Sequence, residues 1–348
     1  MTAASLRSFV SRYKVPLIVA KILLSVALFA YVVAKVSPKD IWAITRRVEP
    51  SLLLLSAGLL FFSNVVGSWL WARLLRARGV EIPYRKAASY YFVGLFFNNF
   101  LPSNIGGDIL RISDASKHAT HVSPVFSATL MDRLIGVLTI AFVAVLASFA
   151  ALDRVHMVAI YIMIFLVFLV SLGLFLSIFS RKVLMMFEWP FRILGLRTIE
   201  RAIARLMDDL HEFKGQGSAL VVAIAASTLV QIMRILVHYT VGLAVGARVA
   251  MGSYFLFVPV LAAAVSLPIS MNGLGIREGA GVVLFQMAGM TNEQAFMVPF
   301  LTYVISVVIS LLGGLIFLSR TPRRAIQTMR ERRKAEREAA EATARRTG

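Results

Sequence analysis

The chain has 348 residues, of which 58% are hydrophobic and 16% are charged. Several apolar runs exceed the roughly 18–20 residues that cross a bilayer, and the mean hydropathy is +0.77, which excludes an ordinary soluble domain. The absence of cysteine excludes disulfides and thiol chemistry. The net charge of +19 is typical of basic cytoplasmic loops beside anionic lipid, and we expect no nucleic-acid partner.

Apolar segments predict six membrane-spanning helices, at residues 16–36, 51–72, 124–150, 155–179, 218–246 and 295–319. Two further apolar segments are different. Residues 87–101 are short and precede Pro102, whereas residues 252–271 contain Pro259 and Pro268. The fold class predicted at this point is an all-α polytopic membrane protein.

Basic residues give the orientation, since cytoplasmic loops carry an excess of Lys and Arg. The tail from Arg320 to Arg346 holds ten Lys and Arg, the linker 181–214 holds seven, and the loop 73–86 holds five. All three are predicted to be cytoplasmic. The loops near Arg154 and Arg248 hold one basic residue each and are predicted to face outside.

This orientation requires two apolar segments that do not cross. Two full crossings between loop 73–86 and Arg154 would return the chain to the cytoplasm, so 87–101 is predicted to enter and turn back. The same reasoning makes 252–271 re-entrant from the outside. Two re-entrant helical hairpins of opposite direction are typical of inverted-repeat transporters. The residues predicted to break the helices are Pro102, Gly106, Gly107, Pro268, Gly273 and Gly275.

The domain organisation follows from these spans. Residues 1–320 are predicted to form a single transmembrane domain, with repeat halves at 16–180 and 218–320. A cytoplasmic amphipathic linker, 181–217, joins the halves, and 321–348 form a basic cytoplasmic tail. Both termini are predicted to lie in the cytoplasm.

Charged residues cluster at both helix breaks, and a charge at the bilayer centre costs roughly 2.5–3.5 kcal/mol. They must therefore pair with one another or line water. Two interpretations stay open, namely structural ion pairs and substrate contact. The amides of Asn104 and Asn272 can satisfy freed backbone groups or touch substrate. The candidate substrate-binding residues are Asp108, Arg111, Asp132, Arg133, Arg234, Arg277, Glu278, Asn104 and Asn272.

Arginine suits phosphate recognition, because its planar fork donates two parallel hydrogen bonds. Half-helix N-termini add positive ends for the same anion. We therefore expect a phosphorylated lipid head group. The carboxylates would hold the arginines in place or receive the amino group of a zwitterionic or aminoacylated lipid. No metal-ligand spacing is found, and no metal or cofactor is expected.

Three strings, NNFLPSNIGGDILR, ATLMDRLIGV and LPISMNGLGIREG, closely resemble the flippase-like transmembrane family of lysylphosphatidylglycerol synthases. The resemblance covers about residues 15–320 and implies a lipid-translocating membrane domain. The sequence holds no aminoacyl-transferase domain, so synthase activity is not expected. The family's functional residues carry over onto Asp108, Arg111, Asp132, Arg133, Arg277 and Glu278.

The expected function is translocation of a phosphorylated lipid, anionic or aminoacylated, across a bacterial-type cytoplasmic (inner) membrane. No nucleotide-binding motif is present, so transport would be passive or ion-coupled, with Asp108 or Asp132 as a proton carrier. The alternatives are a non-catalytic membrane partner of a separate lipid synthase or glycosyltransferase, and a lipid-phosphate transferase. An intramembrane aspartyl protease is disfavoured, because adjacent arginines would hold both carboxylates ionised.

Overall fold

The computed structural model describes residues 23, 25–33, 38–100, 106–151, 158–180, 208–266 and 270–320. Every regular element in these ranges is a helix, so the all-α prediction is confirmed for the described part of the chain. The helices, numbered along the chain, are α1 (described over 25–33), α2 (Pro38–Arg47), α3 (Pro50–Ala77), α4 (Tyr84–Phe100), α5 (Gly106–Ser116), α6 (Ser123–Ala151), α7 (Val158–Ser177), α8 (Gly217–Ala244), α9 (Met251–Ser266), α10 (Ile276–Met287) and α11 (Asn292–Arg320). A 3-10 turn, Met271–Gly273, precedes α10.

Five of these helices, α3, α6, α7, α8 and α11, are long and apolar enough to cross a membrane. They correspond to five of the six predicted spans. The remaining predicted span, 16–36, lies largely outside the described residues. Between the first and second predicted spans the structure forms the helix α2, with the guanidinium of Arg46 5.0 Å from the ring of Trp42.

The short apolar segment 87–101 lies in α4, which forms an antiparallel helical hairpin with α5. Near its tip, the Asn98 side chain accepts a 2.8 Å hydrogen bond from the Gly107 amide. Near its base, the Tyr90 hydroxyl bonds His118 Nε2 at 3.0 Å. The two backbones touch, since a Cβ added at Gly107 would overlap the carbonyl of Gly94. Pro102 and Asn104, between the arms, lie outside the described residues.

The proline-containing segment 252–271 begins in α9, which forms a similar antiparallel hairpin with α10. Val265 packs against Gly273 near the tip, and the rings of Tyr254 and Phe285 lie 5.4 Å apart near the base. The tip has a left-handed backbone, with φ of 49° at Asn272, 74° at Gly273 and 81° at Gly275, a region where glycine costs least. Helix α9 continues through Pro259, and Pro268 lies outside the described residues.

The bases of the two hairpins lie at opposite ends of the bundle. The base of α4–α5 packs in the apolar cluster that also holds Leu220, at the start of α8. The base of α9–α10 packs in a second cluster with Val245, just after the end of α8. A 28-residue helix such as α8 is about 42 Å long. The tips meet between these ends, where Asn272 Nδ2 donates to the backbone carbonyl of Asn99.

The described end of the linker is docked on the bundle. Leu210 and Phe213 are buried in the same cluster as the base of the first hairpin. Arg78 forms a salt bridge with Glu212 and stacks on Phe213 at 5.5 Å, and Ser123 donates to Asp209 at 2.6 Å. This apolar face agrees with the amphipathic pattern of the sequence; residues 181–207 lie outside the described ranges.

Close packing of α11 on α4 generates a stability prediction. A Cβ added at Gly313 would overlap the backbone carbonyl of Phe92, which cannot rotate away. We expect Gly313→Ala to lower the free energy of unfolding by about 1–3 kcal/mol, because overpacking displaces a backbone. Gly58→Ala is the matched control, since nothing lies within 4 Å of its added Cβ. Tryptophan-fluorescence melting of the purified protein checks this. Equal melting midpoints for the two variants would contradict it.

Candidate functional site

Asp108 on α5 and Arg133 on α6 form a bidentate ion pair. Arg133 Nη2 lies 2.9 Å from Oδ1 and 2.7 Å from Oδ2 of Asp108, and its Nε lies 3.0 Å from Oδ2. The Asp108 side chain is 12% exposed, whereas that of Arg133 is 56% exposed. The carboxylate is therefore enclosed, and the Arg133 side chain remains partly accessible.

Arg111 joins this pair to a second carboxylate. Its Nε lies 3.1 Å from Asp108 Oδ1 and its Nη2 lies 3.0 Å from Asp132 Oδ2. The guanidinium also stacks on Trp71 at 5.1 Å and on Tyr91 at 5.4 Å, contacts that stabilise a cation with little water around it. Arg111 is 3% exposed, and its Nε makes an ion pair with Asp108 without a hydrogen bond.

The four charges form a continuous chain, Asp132–Arg111–Asp108–Arg133, which we call the ion-pair quartet. Its pairing is crosswise, because each acid on one helix binds the base on the other: Asp108 on α5 binds Arg133, and Asp132 on α6 binds Arg111. Two acids and two bases cancel in formal charge. The quartet fixes the first hairpin against α6.

Arg277, at the start of α10, has different surroundings. Its Nη2 donates to the backbone carbonyl of Asn272, and its guanidinium stacks on Tyr303 at 4.1 Å. Nη1 is buried without a hydrogen-bond partner. No salt bridge to Arg277 is found among the described residues. Its positive charge is therefore not neutralised by a contacting carboxylate.

Glu278, the neighbouring acid, faces the backbone. It is fully buried, and its Oε2 accepts a 2.7 Å hydrogen bond from the Gly275 amide as a cap on the first turn of α10. Its other oxygen, Oε1, has no hydrogen-bond partner. Glu278 therefore holds the hairpin tip in shape, and it lines none of the three cavities described below.

Arg234 lies on α8 between the two hairpins. Its side chain makes no salt bridge or hydrogen bond within the described ranges, and its backbone carbonyl accepts a 2.9 Å bond from His238 Nδ1. Gln231, one turn earlier, donates to the carbonyl of Gly136 at 3.0 Å. The α8 face that carries Gln231, Arg234 and His238 lines one cavity with the quartet.

Three cavities surround these charges. The first compartment, of about 310 Å³, is lined by the ion-pair quartet and Arg234. The second compartment, of about 270 Å³, is lined by Arg234 and Arg277. A third cavity, of about 670 Å³, connects the tips of the two hairpins. Arg234 lines all three, so the charges of both hairpins line adjoining cavities, which we call the polar space. The third cavity is lined by Asp108, Arg133, Arg234, Asn272 and Arg277, among others.

The structure thus brings together seven of the nine residues predicted to bind substrate. Glu278 lies apart from the cavities, and Asn104 lies outside the described residues. Sequence reasoning missed the aromatic partners of the arginines, Trp71 and Tyr303, and the buried amide of Asn64 in the second compartment. Asn64 gave a signal, since a lone amide in the middle of an apolar span is unusual.

Comparisons with known proteins agree with this picture of a membrane protein. Residues 18–314 match the family model described as the lysylphosphatidylglycerol synthase TM region. A UPF0104 membrane protein of Methanothermobacter thermautotrophicus is 24% identical over 294 residues, which cover 78% of this chain and 85% of that protein. No solved structure matches the chain.

The quartet generates a coupling prediction. We expect Asp108→Asn to destabilise the protein by about 1–3 kcal/mol, because it removes the enclosed carboxylate that the buried Arg111 and the partly exposed Arg133 share. Adding Arg133→Gln should recover part of this loss, since the two residues act as a pair. Thermal melting of both single variants and the double variant measures the coupling.

Asp114→Asn is the control for this cycle. Asp114 pairs with the exposed Lys117 at the end of α5 and, at 3.8 Å, with the partly exposed Arg320, and such surface pairs contribute about 0–1 kcal/mol each. Strictly additive effects of Asp108→Asn and Arg133→Gln would contradict the pairing.

Proposed function

Because the chain belongs to the lysylphosphatidylglycerol synthase TM-region family, we propose that it translocates a phosphorylated lipid, anionic or aminoacylated, across the cytoplasmic membrane. One observation carries the proposal: Arg234 and Arg277 line the same compartment, and neither has a contacting carboxylate among the described residues. A pair of guanidiniums in a cavity between membrane helices favours an anionic ligand.

The energetics of charge burial support this choice of ligand. A lone arginine at membrane depth costs roughly 2.5–3.5 kcal/mol even on the mild insertion scale. The quartet offsets that cost for Arg111 and Arg133 with its own carboxylates. For Arg234 and Arg277 an incoming phosphate would supply the missing negative charge, and each planar guanidinium can donate two parallel hydrogen bonds to it.

The two hairpins support a transporter architecture. Their bases lie at opposite ends of α8 and their tips touch at Asn99 and Asn272, as expected of two re-entrant hairpins that enter from opposite leaflets. Together with the six crossings predicted from the sequence, this supports our proposal of an inverted repeat with both termini in the cytoplasm. Irregular backbone at membrane depth is tolerated where it lines a polar cavity, and such breaks are where transporters bind substrate.

In the proposed pathway the head group moves through the polar space while the acyl chains stay in lipid. Arg133 is the accessible base of the quartet and would meet the phosphate first. Arg234, which lines all three cavities, would hold it next, and Arg277 would receive it in the second compartment. Each step exchanges one guanidinium partner for another, so the anion is never without a counter-charge.

The same contacts disfavour acid–base chemistry by the two aspartates. A carboxylate dyad needs two close acids that share a proton. Here the partners of Asp108 and Asp132 among the described residues are guanidiniums. We therefore propose a transporter and not a hydrolase for this site.

The re-entrant arrangement predicts which loops share a side of the membrane. Since the chain has no cysteine, single cysteines can be introduced cleanly at exposed positions. We expect Glu81→Cys and His121→Cys to react with an impermeant maleimide from the cytoplasmic side. Arg248→Cys and Thr291→Cys should react from the outside. If the α4–α5 segment crossed the membrane, Glu81→Cys and His121→Cys would label from opposite sides. If α9–α10 crossed it, Arg248→Cys and Thr291→Cys would do so.

The proposed function predicts slower lipid translocation when Arg234 or Arg277 is replaced. In proteoliposomes with fluorescent phospholipid, we expect Arg234→Ala and Arg277→Ala each to slow head-group translocation about tenfold. The reason is that each variant loses roughly one hydrogen bond to the charged phosphate. Arg277→Lys should also be slow, because an ammonium lacks the planar fork.

Asp114→Asn is the control, since Asp114 lines none of the three cavities, and it should transport at the wild-type rate. Dithionite accessibility of the labelled head group provides the measurement. Wild-type translocation rates for both arginine variants would contradict the assignment of Arg234 and Arg277 to the substrate site.

A further inference from the structure

His238 lies on α8 where the first and second compartments adjoin. Its side chain lines both of them, as does that of Arg234 one turn earlier. The proposed pathway uses Arg234 and gives no role to His238. Imidazole is the side chain whose charge ordinarily changes between about pH 5 and 8. A histidine at this point of the polar space therefore has a chemistry that the arginines lack.

The hydrogen bond of Nδ1 fixes the orientation of the His238 ring. Nδ1 lies 2.9 Å from the backbone carbonyl oxygen of Arg234. A carbonyl oxygen can only accept, so the hydrogen of the neutral ring is on Nδ1 and Nε2 is an acceptor. Nε2 has no hydrogen-bond partner among the residues that the structure describes. Because Nδ1 faces the helix backbone, Nε2 on the far side of the ring is directed toward the compartments.

An acceptor at this position conflicts with an anionic ligand. A phosphate oxygen also accepts, so beside the neutral ring two lone pairs would face each other. A proton added to Nε2 turns it into a donor and gives a charge-assisted hydrogen bond. Without the anion, the same proton would place a third positive charge in a compartment that Arg234 and Arg277 already line, and like charges repel strongly where polarity is low. Proton binding and anion binding therefore favour each other.

The other charged and titratable groups around the two compartments keep their charge near neutral pH. Within the described ranges these groups are the ion-pair quartet, Arg234, Arg277, and the phenols of Tyr91 and Tyr303. Arginine stays protonated and phenols stay neutral, and guanidiniums bind both carboxylates of the quartet. The lining residues of α3 and α9 carry no titratable group, and Glu278 lines neither compartment. His238 is therefore better suited to carry a proton than the aspartates expected from the sequence.

We propose that His238 binds a proton at Nε2 together with the anionic ligand and releases it with the ligand, so that the protein is a proton–anion symporter. This inference rests on the proposed function, to which it adds the co-substrate. On the loading side, Nε2 takes one proton from a hydronium ion and leaves water. On the far side, the imidazolium returns that proton to water once the phosphate has left. The Nδ1 hydrogen stays on the Arg234 carbonyl throughout, so the ring keeps its place while its charge changes.

A pH gradient across proteoliposomes tests the coupling. Fluorescent phosphatidylglycerol starts in the inner leaflet, and dithionite reports its arrival in the outer leaflet. With the lumen at about pH 6 and the outside at about pH 7.5, we expect arrival about threefold faster than with both sides at about pH 7.5, because protons then flow in the direction of the lipid. The reversed gradient should slow it. Protein-free liposomes correct for the effect of pH on the dye.

Two histidine variants assign the coupling to one ring. His238→Gln removes the proton site and keeps an amide that can donate to the Arg234 carbonyl, so the ratio of rates with and without the gradient should fall to about one. His121→Gln is the matched control, since His121 is exposed in the loop between α5 and α6 and lines none of the three cavities. It should keep the wild-type ratio.

Nitrogen NMR of the ring gives a measurement that does not depend on transport. The chain has five histidines, and the signal lost in His238→Gln identifies His238 in the full-length protein carrying isotope-labelled histidine. In phosphatidylcholine nanodiscs at about pH 7 we expect a neutral ring with its hydrogen on Nδ1. Adding phosphatidylglycerol at the same pH should give a doubly protonated ring. Inorganic phosphate, added instead, separates a lipid head group from a free anion.

The outcomes distinguish proton coupling from the proposed function. Translocation that ignores the gradient, or a ring that stays neutral with either anion, would overturn the coupling and leave lipid translocation intact. A gradient response that survives His238→Gln would overturn the assignment to His238. Protonation with inorganic phosphate but not with phosphatidylglycerol would keep the linkage of proton and anion and overturn the lipid as its source. Absence of lipid translocation under every gradient would overturn the proposed function itself.

Discussion

The crosswise pairing of Asp108 with Arg133 and of Asp132 with Arg111 is the interaction on which the site depends. Charges in apolar surroundings have to be neutralised by contact, because little solvent is there to screen them. Since every acid meets the base of the other helix, neither α5 nor α6 can move alone without exposing two charges. The first hairpin is therefore a fixed wall of the cavity.

The second hairpin has the same outline but a different charge balance. Its acid, Glu278, turns toward the backbone amide of Gly275, whereas its base, Arg277, turns toward the cavity with only a carbonyl and an aromatic ring as partners. The two hairpins thus differ in what they offer to a ligand. One contributes a neutral quartet, and the other contributes an uncompensated cation beside Arg234. The positive character of the polar space comes from α8 and α10.

Much of this fold could be predicted from sequence, because length and hydropathy decide which segments cross a bilayer and proline with glycine mark where helices stop. The spacing of Asp108 and Arg111 also placed both side chains on one helical face. The pairing partners could not be predicted, since Asp132 and Arg133 are adjacent in sequence and only the approach of α5 decides which base each acid meets. Periodicity likewise carries no information on Tyr303 beneath Arg277, or on Glu278 turning inward at a left-handed glycine.

One requirement, that polar groups between apolar helices be satisfied by some partner, sorts the polar residues of the site into three kinds. Asp108, Asp132 and the two arginines of the quartet neutralise one another. Glu278 and Asn98 satisfy backbone amides at the hairpin tips. Arg234 has no side-chain partner among the described residues, Arg277 leaves its Nη1 without one, and both line the second compartment. The first two kinds hold the hairpins in place, so the ligand has to be inferred from the third kind, which is cationic.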